Sequence, residues 1–233
     1  MALSHIIWLS IIQGVTEFLP VSSSGHLNLL HSLTAYPDQG VGFDVALHFG
    51  TLIAVILYFR HDVPRLFTGF LDFIQNRPSE PRHLFEQITL ATIPVILAAM
   101  VLVLTGWIDL FRNAKTVALA TIIFAIPLYL ADRWGAQNKK IADQSLMQAL
   151  WVGLAQIFAL IPGASRAGVT ITAARGLGLS REEAARFSML LSIPVIICFT
   201  LFSLLEVALE GSGTQLKPML LGMAFSALVA LGS

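Results

Sequence analysis

The chain has 233 residues, of which 56% are hydrophobic and 12% are charged, and its formal net charge is zero. Soluble domains carry about 25% charged residues, so this composition, with a mean hydropathy of +0.77, excludes a soluble enzyme, a disordered chain and a secreted disulfide scaffold. It predicts an integral membrane protein with no general attraction for nucleic acid.

Residues 1–13 show neither a basic region nor a small-residue cleavage site, so we interpret them as retained structure rather than as a signal peptide. Beyond them, apolar runs alternate with short charged stretches. This pattern predicts one all-α integral membrane domain over residues 1–233, a polytopic helix bundle. Several runs are shorter than the roughly 20 residues of a straight span, so some segments do not cross fully. The clearest runs are residues 45–59, 88–106, 116–131, 146–161, 187–205 and 218–231.

The first polar cluster lies ahead of these runs. Gln13 and Glu17 share one helical face, and Pro20 then ends that helix. The serines that follow can cap a new helix, whose free N–H groups bind anions. A flexible turn and a core histidine are the alternatives, but ionisable groups inside a membrane are costly and mostly functional. The candidate residues here are Gln13, Glu17, Ser22, Ser23, Ser24 and His26, with the histidine able to lie beside one of the serines.

Within the run 45–59, His48 is either a second polar group of a cavity or a core histidine, and Asp44 is expected to cap that helix. Residues 60–85 hold four arginines or lysines and residues 132–145 hold three, whereas residues 107–115 hold only Arg112 and Lys115. By the positive-inside rule, the first two segments are cytoplasmic loops and the third is outside. Both polar clusters then lie towards the outer side of the membrane.

The second polar cluster follows the run 146–161. Arg166 stands in apolar surroundings and needs an anionic partner, and its planar guanidinium suits phosphate oxygens. Ser165 can cap the following helix, and Thr170 adds a hydroxyl one turn later. The alternative is a structural ion pair between Arg166 and Glu17. The ion pair and a phosphate-binding role are compatible if a substrate competes for the arginine. The candidate residues here are Gly163, Ser165, Arg166 and Thr170.

The two clusters form a weak internal repeat. Residues 13–23 and 156–165 both contain a Gln and then Pro-x-x-Ser, if one gap is allowed. Broken backbone is tolerated at membrane depth where it lines a cavity, and paired interrupted segments are typical of a binding site between inverted repeats. We therefore expect two broken or re-entrant helical segments, with repeat halves of about 1–106 and 107–233.

The C-terminal third is less informative. The single cysteine, Cys198, lies in an apolar run, which predicts a small buried side chain. The last run reaches Ser233 without a charged flank, so we expect a truncated C-terminal helix. A group of charged residues is interpreted as solvated helix ends. It comprises Arg181, Glu182, Glu183, Glu206 and Glu210.

The two motifs make the chain similar to the bacterial undecaprenyl-diphosphate phosphatase family, once described as bacitracin-resistance proteins. The family's first signature, Glu or Gln, three residues, Glu and then Phe-Leu-Pro-Val-Ser-Ser-x-Gly-His, is present from Gln13 to His26. Its second, Pro-Gly-x-Ser-Arg-Ser-x-x-Thr, is present from Pro162 to Thr170 with Ala167 in place of a serine. The resemblance covers residues 10–205, and Gln13 stands where the family more often has Glu.

The resemblance implies a hydrolase of the bacterial cytoplasmic (inner) membrane, which cleaves undecaprenyl diphosphate to undecaprenyl phosphate and inorganic phosphate. This reaction recycles the lipid carrier of peptidoglycan and cell-wall synthesis. An apolar bundle can hold the prenyl tail, and Arg166 with two helix N-termini can hold the diphosphate. Glu17 can hold a divalent cation, Mg²⁺ or Ca²⁺. Ser23 or a water would attack phosphorus, with His26 as base or acid.

Ser23 is favoured among the serines because the gapped repeat pairs it with Ser165. The catalytic set is thus Glu17, Ser23, His26 and Arg166, and the substrate-binding set is Gln13, Ser22, Ser24, Gly163, Ser165 and Thr170. Expected partners are the prenyl diphosphate lipid and the bilayer; a homodimer is left open and nucleic acid is excluded.

Two other functions compete. Interrupted repeats around a polar site are also typical of a transporter or flippase for an anionic prenyl lipid. Lipid phosphatases that resemble soluble acid phosphatases also use Ser-Gly-His and Ser-Arg elements, but they need a further histidine after the Ser-Arg, and none follows Arg166 closely.

Overall fold

The structure, a computed structural model, describes residues 1–34, 40–106, 114–135, 138–210 and 216–233. Over these residues the fold is all-α, as predicted, and each predicted apolar run lies in a helix. Two 3-10 turns, Ile141–Asp143 and Ile157–Leu160, flank the seventh helix. The helices are α1 (Leu3–Thr16), α2 (Ser23–Leu33), α3 (Val41–Tyr58), α4 (Asp62–Ile74), α5 (Glu80–Thr105), α6 (Ala114–Trp134), α7 (Leu146–Gln156), α8 (Arg166–Gly176), α9 (Arg181–Glu210) and α10 (Leu216–Gly232).

Helices α5, α6 and α9 are each long and apolar enough to cross a membrane. Helices α3 and α4 together meet the same criterion as a pair bent by 86°. Helices α1, α7 and α10 are apolar but shorter than a full span. The described part of the chain is therefore a multi-pass membrane helix bundle.

Helix α4 lies inside the segment 60–85, so the prediction of a charged loop there was wrong. Its polar side is held by Arg65, which pairs with Asp62 at 3.4 Å and with Glu80 at 2.8 Å. Its other side is apolar and exposed, with Phe67 and Ile74 among the exposed side chains. The charges were taken as a loop signal, but they occupy one side of an amphipathic helix.

The two predicted broken segments are each divided into two helices that pack on each other as a hairpin. The first hairpin consists of α1 and α2, and the second of α7 and α8; α2 and α8 have 11 residues each. Their packing corresponds, since α10 packs on α1 and α3 while α5 packs on α7 and α9. Each predicted half thus lends a helix to the other's hairpin, and the boundary near residue 106 stays a prediction.

The repeat has a different register from the predicted one. Ser22 and Ser165 both cap a helix at positive φ, 63° and 58°. Their hydroxyls accept hydrogen bonds from the N–H groups of Gly25 at 3.3 Å and Gly168 at 3.1 Å. Ser22 therefore corresponds to Ser165 without any gap. The pairing of Ser23 with Ser165 was wrong, because it aligned the prolines rather than the capping serines.

The largest apolar core joins α3, α5, α7, α8 and α9 around Phe187, Leu190 and Leu191, all 0% exposed. A smaller core, which includes Leu9 and Leu27, joins α1, α2, α3 and α10. Cys198 is exposed on α9, so its predicted burial was wrong. The reason is physical: an outward face of a membrane helix is as apolar as its core face, so apolar sequence does not predict burial there.

Hydrogen bonds and ion pairs join the starts of α5 and α9 to the end of α6. Arg181 forms a bidentate pair with Asp132 at 2.6 and 3.0 Å. The Glu183 carboxylate accepts a hydrogen bond from the Ile141 N–H at 2.8 Å. Arg181 is solvated as predicted, with 63% of its side chain exposed, whereas Glu183 anchors a loop. The side chains of Glu206 and Glu210 lie outside the described part.

Candidate active site

The tips of the two hairpins meet inside the bundle. The Ser165 hydroxyl lies 3.5 Å from the carbonyl oxygen of Leu19, at hydrogen-bonding distance. Val117 of α6 lies against both tips: a Cβ added at Gly25 would be 3.3 Å from its side chain, and one added at Gly163 would be 2.3 Å from its carbonyl oxygen. The N-termini of α2 and α8 are therefore brought to one place, where their free N–H groups favour an anion.

Glu17 is the centre of this place. It directly follows α1 and is 7% exposed. One carboxylate oxygen, Oε1, accepts a hydrogen bond from Arg166 Nη2 at 2.8 Å. The other, Oε2, accepts from the Ser23 hydroxyl at 2.7 Å and from the Gln13 amide at 2.9 Å. Three of the residues singled out in the sequence, Gln13, Ser23 and Arg166, thus converge on the carboxylate of Glu17.

Arg166 is held by more than Glu17. Its Nη1 donates to the carbonyl oxygen of Ser188 in α9 at 3.2 Å, and its guanidinium carbon lies 5.9 Å from the ring centroid of Phe18. The ion pair considered as the structural alternative is therefore present. Only 13% of the Arg166 side chain is exposed, and a buried pair of this kind depends on these extra hydrogen bonds. The contact with Ser188 had no signal in the sequence.

His48 joins the same carboxylate from α3. Its Nε2 lies 3.5 Å from Glu17 Oε2. Its Nδ1 lies 2.7 Å from the carbonyl oxygen of Asp44. Because a carbonyl oxygen can only accept, Nδ1 carries a proton and Nε2 faces Glu17. Of the two readings for His48, the structure favours a polar group of the cavity. Asp44 lies in the first turn of α3 and Gly40 is the N-cap, so Asp44 is not the cap.

His26 and Ser24 lie at the edge of the site, and both are exposed. The His26 Nδ1 is 2.8 Å from the Ser22 carbonyl oxygen, so the ring is beside that serine's backbone rather than a hydroxyl, and its Nε2 is left for other partners. The Ser22 hydroxyl is buried in its capping role and lies 3.4 Å from the Ser24 hydroxyl. Ser22 therefore shapes the start of α2.

Two of the predicted binding residues take structural positions. Thr170 is 0% exposed, and its hydroxyl is 2.7 Å from the Ser188 hydroxyl and 2.9 Å from the Arg166 carbonyl oxygen. The Gly163 carbonyl oxygen accepts a hydrogen bond from Thr121 of α6 at 3.2 Å. These contacts join α8 to α9 and the second tip to α6. Both residues therefore fix the position of the segment that carries Arg166.

The side chains alone do not build a metal site. Within the ranges that the structure describes, no group of three or more His, Cys, Asp or Glu residues is close enough to hold an ion. Both Glu17 oxygens already accept hydrogen bonds. A single carboxylate still suits Mg²⁺, which binds proteins through one or two carboxylates together with substrate phosphates. The residues thus fit a cation that shares the phosphates of a bound substrate.

Comparison with known proteins identifies the family of the chain. The family model described as "Bacitracin resistance protein BacA" matches residues 6–233. The chain is similar to the undecaprenyl-diphosphatase of Maricaulis maris (strain MCS10), with 47% identity over 207 residues, covering 89% of this chain and 77% of that protein. It is also 44% identical to the undecaprenyl-diphosphatase of Teredinibacter turnerae over 235 residues, covering 99% of this chain and 87% of the relative.

Proposed function

We propose that this chain, which belongs to the BacA family of bacitracin resistance proteins, is a membrane hydrolase that cleaves undecaprenyl diphosphate to undecaprenyl phosphate and inorganic phosphate. Its relatives in Maricaulis maris and Teredinibacter turnerae are undecaprenyl-diphosphatases, which supports this activity. The observation that carries it is the convergence of Ser23 and Arg166 on one buried carboxylate, Glu17, at the meeting point of two helix N-termini. That arrangement combines an anion site with a hydroxyl nucleophile and its base.

The substrate's diphosphate is proposed to bind where Arg166 and the N–H groups of α2 and α8 converge. Arg166 then exchanges part of its contact with Glu17 for phosphate oxygens. Phosphoryl transfer needs little beyond such positioning and charge neutralisation. The apolar surface of the bundle receives the prenyl chain.

The Ser23 hydroxyl donates a hydrogen bond of 2.7 Å to Glu17, which is the geometry of a nucleophile beside its base. In the proposed step, Glu17 takes the hydroxyl proton and Ser23 Oγ attacks the terminal phosphorus. The bond from that phosphorus to the bridging oxygen breaks, and undecaprenyl phosphate leaves. Water then attacks the phosphoserine, and Glu17 returns its proton to Ser23 Oγ as the bond from that oxygen to phosphorus breaks. The oxygen and protons of the water leave with the phosphate. His26 can donate to the leaving oxygen from Nε2 when both of its ring nitrogens carry a proton.

A divalent cation, Mg²⁺ or Ca²⁺, is proposed to accompany the diphosphate, with Glu17 as its protein ligand. It would neutralise charge on the phosphate oxygens. Activity should fall to background in excess chelator and return on adding back the ion. Full activity in chelator-treated, metal-free protein would remove the cation from the proposal.

The inner membrane is the proposed location, with the site open to the periplasm. Residues 60–85 hold four arginines or lysines and residues 132–145 hold three, against two in residues 107–115, and these counts support this orientation. We also propose that the protein forms a homodimer. Light scattering of the purified protein in detergent measures the mass of the assembly and so tests this proposal.

The decisive experiment measures phosphate release from undecaprenyl diphosphate by the purified protein in detergent. We expect release by the wild type and a loss of about 100-fold or more in Arg166→Ala and in Glu17→Ala, because each removes an oriented charge at the phosphoryl site. Arg181→Ala is the control, since it removes an exposed arginine that pairs with Asp132 away from Glu17. Activity like wild type in either site variant would refute the site.

A transporter or flippase is the second candidate, and the repeated hairpins that meet at a polar site favour it. The same assay separates the two. A pure transporter releases no phosphate in detergent, because detergent removes the two compartments that transport needs.

A further inference from the structure

The second hairpin leaves part of α5 without a helical neighbour. Helix α5 has 26 residues and is about 39 Å long, whereas α7 has 11 residues and is about 16 Å long. The two pack tightly at their contact, where a Cβ added at Gly153 would lie 2.5 Å from the Ala91 carbonyl oxygen. Beyond Gln156 the chain turns inward towards Ser165, while α5 continues for more than three turns.

A groove of about 570 Å³ lies along that part of α5, within the range of about 300–1,000 Å³ that is usual for ligand pockets. Every residue that lines it is apolar. The lining includes Ile93, Leu97, Ala98 and Val101 of α5, with Leu154 and Ile157 on the other side. The groove exists because a re-entrant helix stops part-way along a spanning helix.

The inner end of the groove abuts the segment that carries the site. Ile157 lines the groove and also begins the 3-10 turn that leads to Ser165 and Arg166. That turn packs on α5 and α8, and Phe158 contacts Phe124 of α6 with ring centroids 5.7 Å apart. The turn therefore lies between α5 and α6 and connects the lining of the groove to the hairpin tip.

The corresponding position of the first hairpin is closely packed. In the register set by Ser22 and Ser165, Gly14 corresponds to Ile157. A Cβ added at Gly14 would lie 2.7 Å from the Val229 side chain of α10. The two hairpins therefore pack differently on their neighbouring helices at this position.

We infer that this groove holds the prenyl chain of the substrate, with the diphosphate at Arg166 and Glu17. The inference rests on the proposed function, which supplies a ligand with a phosphate head and a long apolar tail. Ile157 belongs to the lining of the groove and to the segment that leads to the hairpin tip, so it links the two places along the chain. Burial of the tail along α5 then contributes to binding in proportion to the length of chain in contact.

The test fills the groove. Ala98→Trp should raise the KM for undecaprenyl diphosphate about tenfold, as expected when the contact of two or three methylene groups is lost. It should change the KM for farnesyl diphosphate less, because a shorter chain has less contact to lose, and should leave kcat unchanged. Met100→Trp is the matched control, since Met100 is an exposed residue of α5 that does not line the groove.

An unchanged KM for the long substrate, or equal shifts in KM for both substrates, would overturn the inference that the groove holds the prenyl chain. In either case phosphate release by the wild type still stands, so the proposed function is tested separately. Ordinary membrane lipid is the competing occupant. A photoreactive benzoylphenylalanine at Leu97 should crosslink to labelled undecaprenyl phosphate in phospholipid vesicles, and crosslinking to phospholipid alone would also overturn the inference.

Discussion

The two oxygens of Glu17 have different partners, and this division gives them different tasks. Oε1 accepts from Arg166, whereas Oε2 accepts from Ser23 and Gln13. When Arg166 moves towards an incoming phosphate, the contact with Ser23 can persist. The carboxylate therefore stays aligned with the nucleophile during the exchange. The Gln13 amide also holds the carboxylate, whereas a second carboxylate at position 13 would repel it.

The serines of the first hairpin separate into a nucleophile and a cap. Ser23→Ala should abolish phosphate release with little loss of thermal stability, because it removes the hydroxyl that faces Glu17. Ser22→Ala should lower the stability by about 1 kcal/mol, the usual cost of a lost N-cap. The melting temperature and the phosphate-release rate of both variants check this.

Rapid acid quenching of the wild type with labelled diphosphate should also trap a phosphoserine at position 23. An active Ser23→Ala together with no trapped phosphoenzyme would leave attack by water as the mechanism.

His48 is a positioning residue, since it contacts Glu17 rather than the diphosphate in the proposed mode. We expect His48→Ala to lower kcat about tenfold, the effect of losing a polar contact to a charged group worth about 1.5 kcal/mol, with KM nearly unchanged. His48→Gln should recover most of the rate because its amide can donate to the same oxygen. A change in KM alone, or no rescue by glutamine, would contradict this role.

At the scale of elements, local properties were predictable and packing was not. The apolar runs predicted helices correctly because continuous hydrophobicity is a local property. Helix α4 was missed because its ion pairs, such as Arg65 with Glu80, are made only once α5 lies beside it. The hairpin register was missed because matching prolines are visible in sequence, whereas the shared cap of Ser22 and Ser165 is a backbone conformation.

The site followed the same division. The motif residues Glu17, Ser23 and Arg166 were found, because polar groups in an apolar chain stand out. Their partner Ser188 was not, because it reaches Arg166 only through the packing of α8 on α9.

The hairpin tips depend on close backbone approach, and Gly163 shows it most clearly. Its φ is +100° and an added Cβ would lie 2.3 Å from the Val117 carbonyl oxygen. Gly163→Ala should therefore destabilise the protein by about 1–3 kcal/mol through strain and lower activity by moving the tip. Gly176→Ala is the control because nothing lies within 4 Å of its added Cβ. Equal melting temperatures and rates for the two variants would show that the tip is not constrained.

At the scale of the whole molecule, contacts between helices show which residues lie at the same end of the bundle. The end of the bundle that holds the Arg181–Asp132 pair also holds the start of α5, because the ring of His83 lies 3.0 Å from the Gln144 carbonyl oxygen. Residues 79 and 138 therefore lie at one end. Thr105, at the far end of a helix about 39 Å long with 26 residues, lies at the other.

This geometry makes the orientation of the chain in the membrane testable with three cysteines in a Cys198→Ser background. In intact cells or right-side-out vesicles, an impermeant thiol reagent should label Thr105→Cys, while Ser79→Cys and Asn138→Cys should react only after permeabilisation. The positive-inside rule is the physical reason, since residues 60–85 and 132–145 carry four and three arginines or lysines, against two in residues 107–115. Labelling of positions 79 and 138 from outside would invert the orientation, and labelling of only one of them would contradict their placement at a common end.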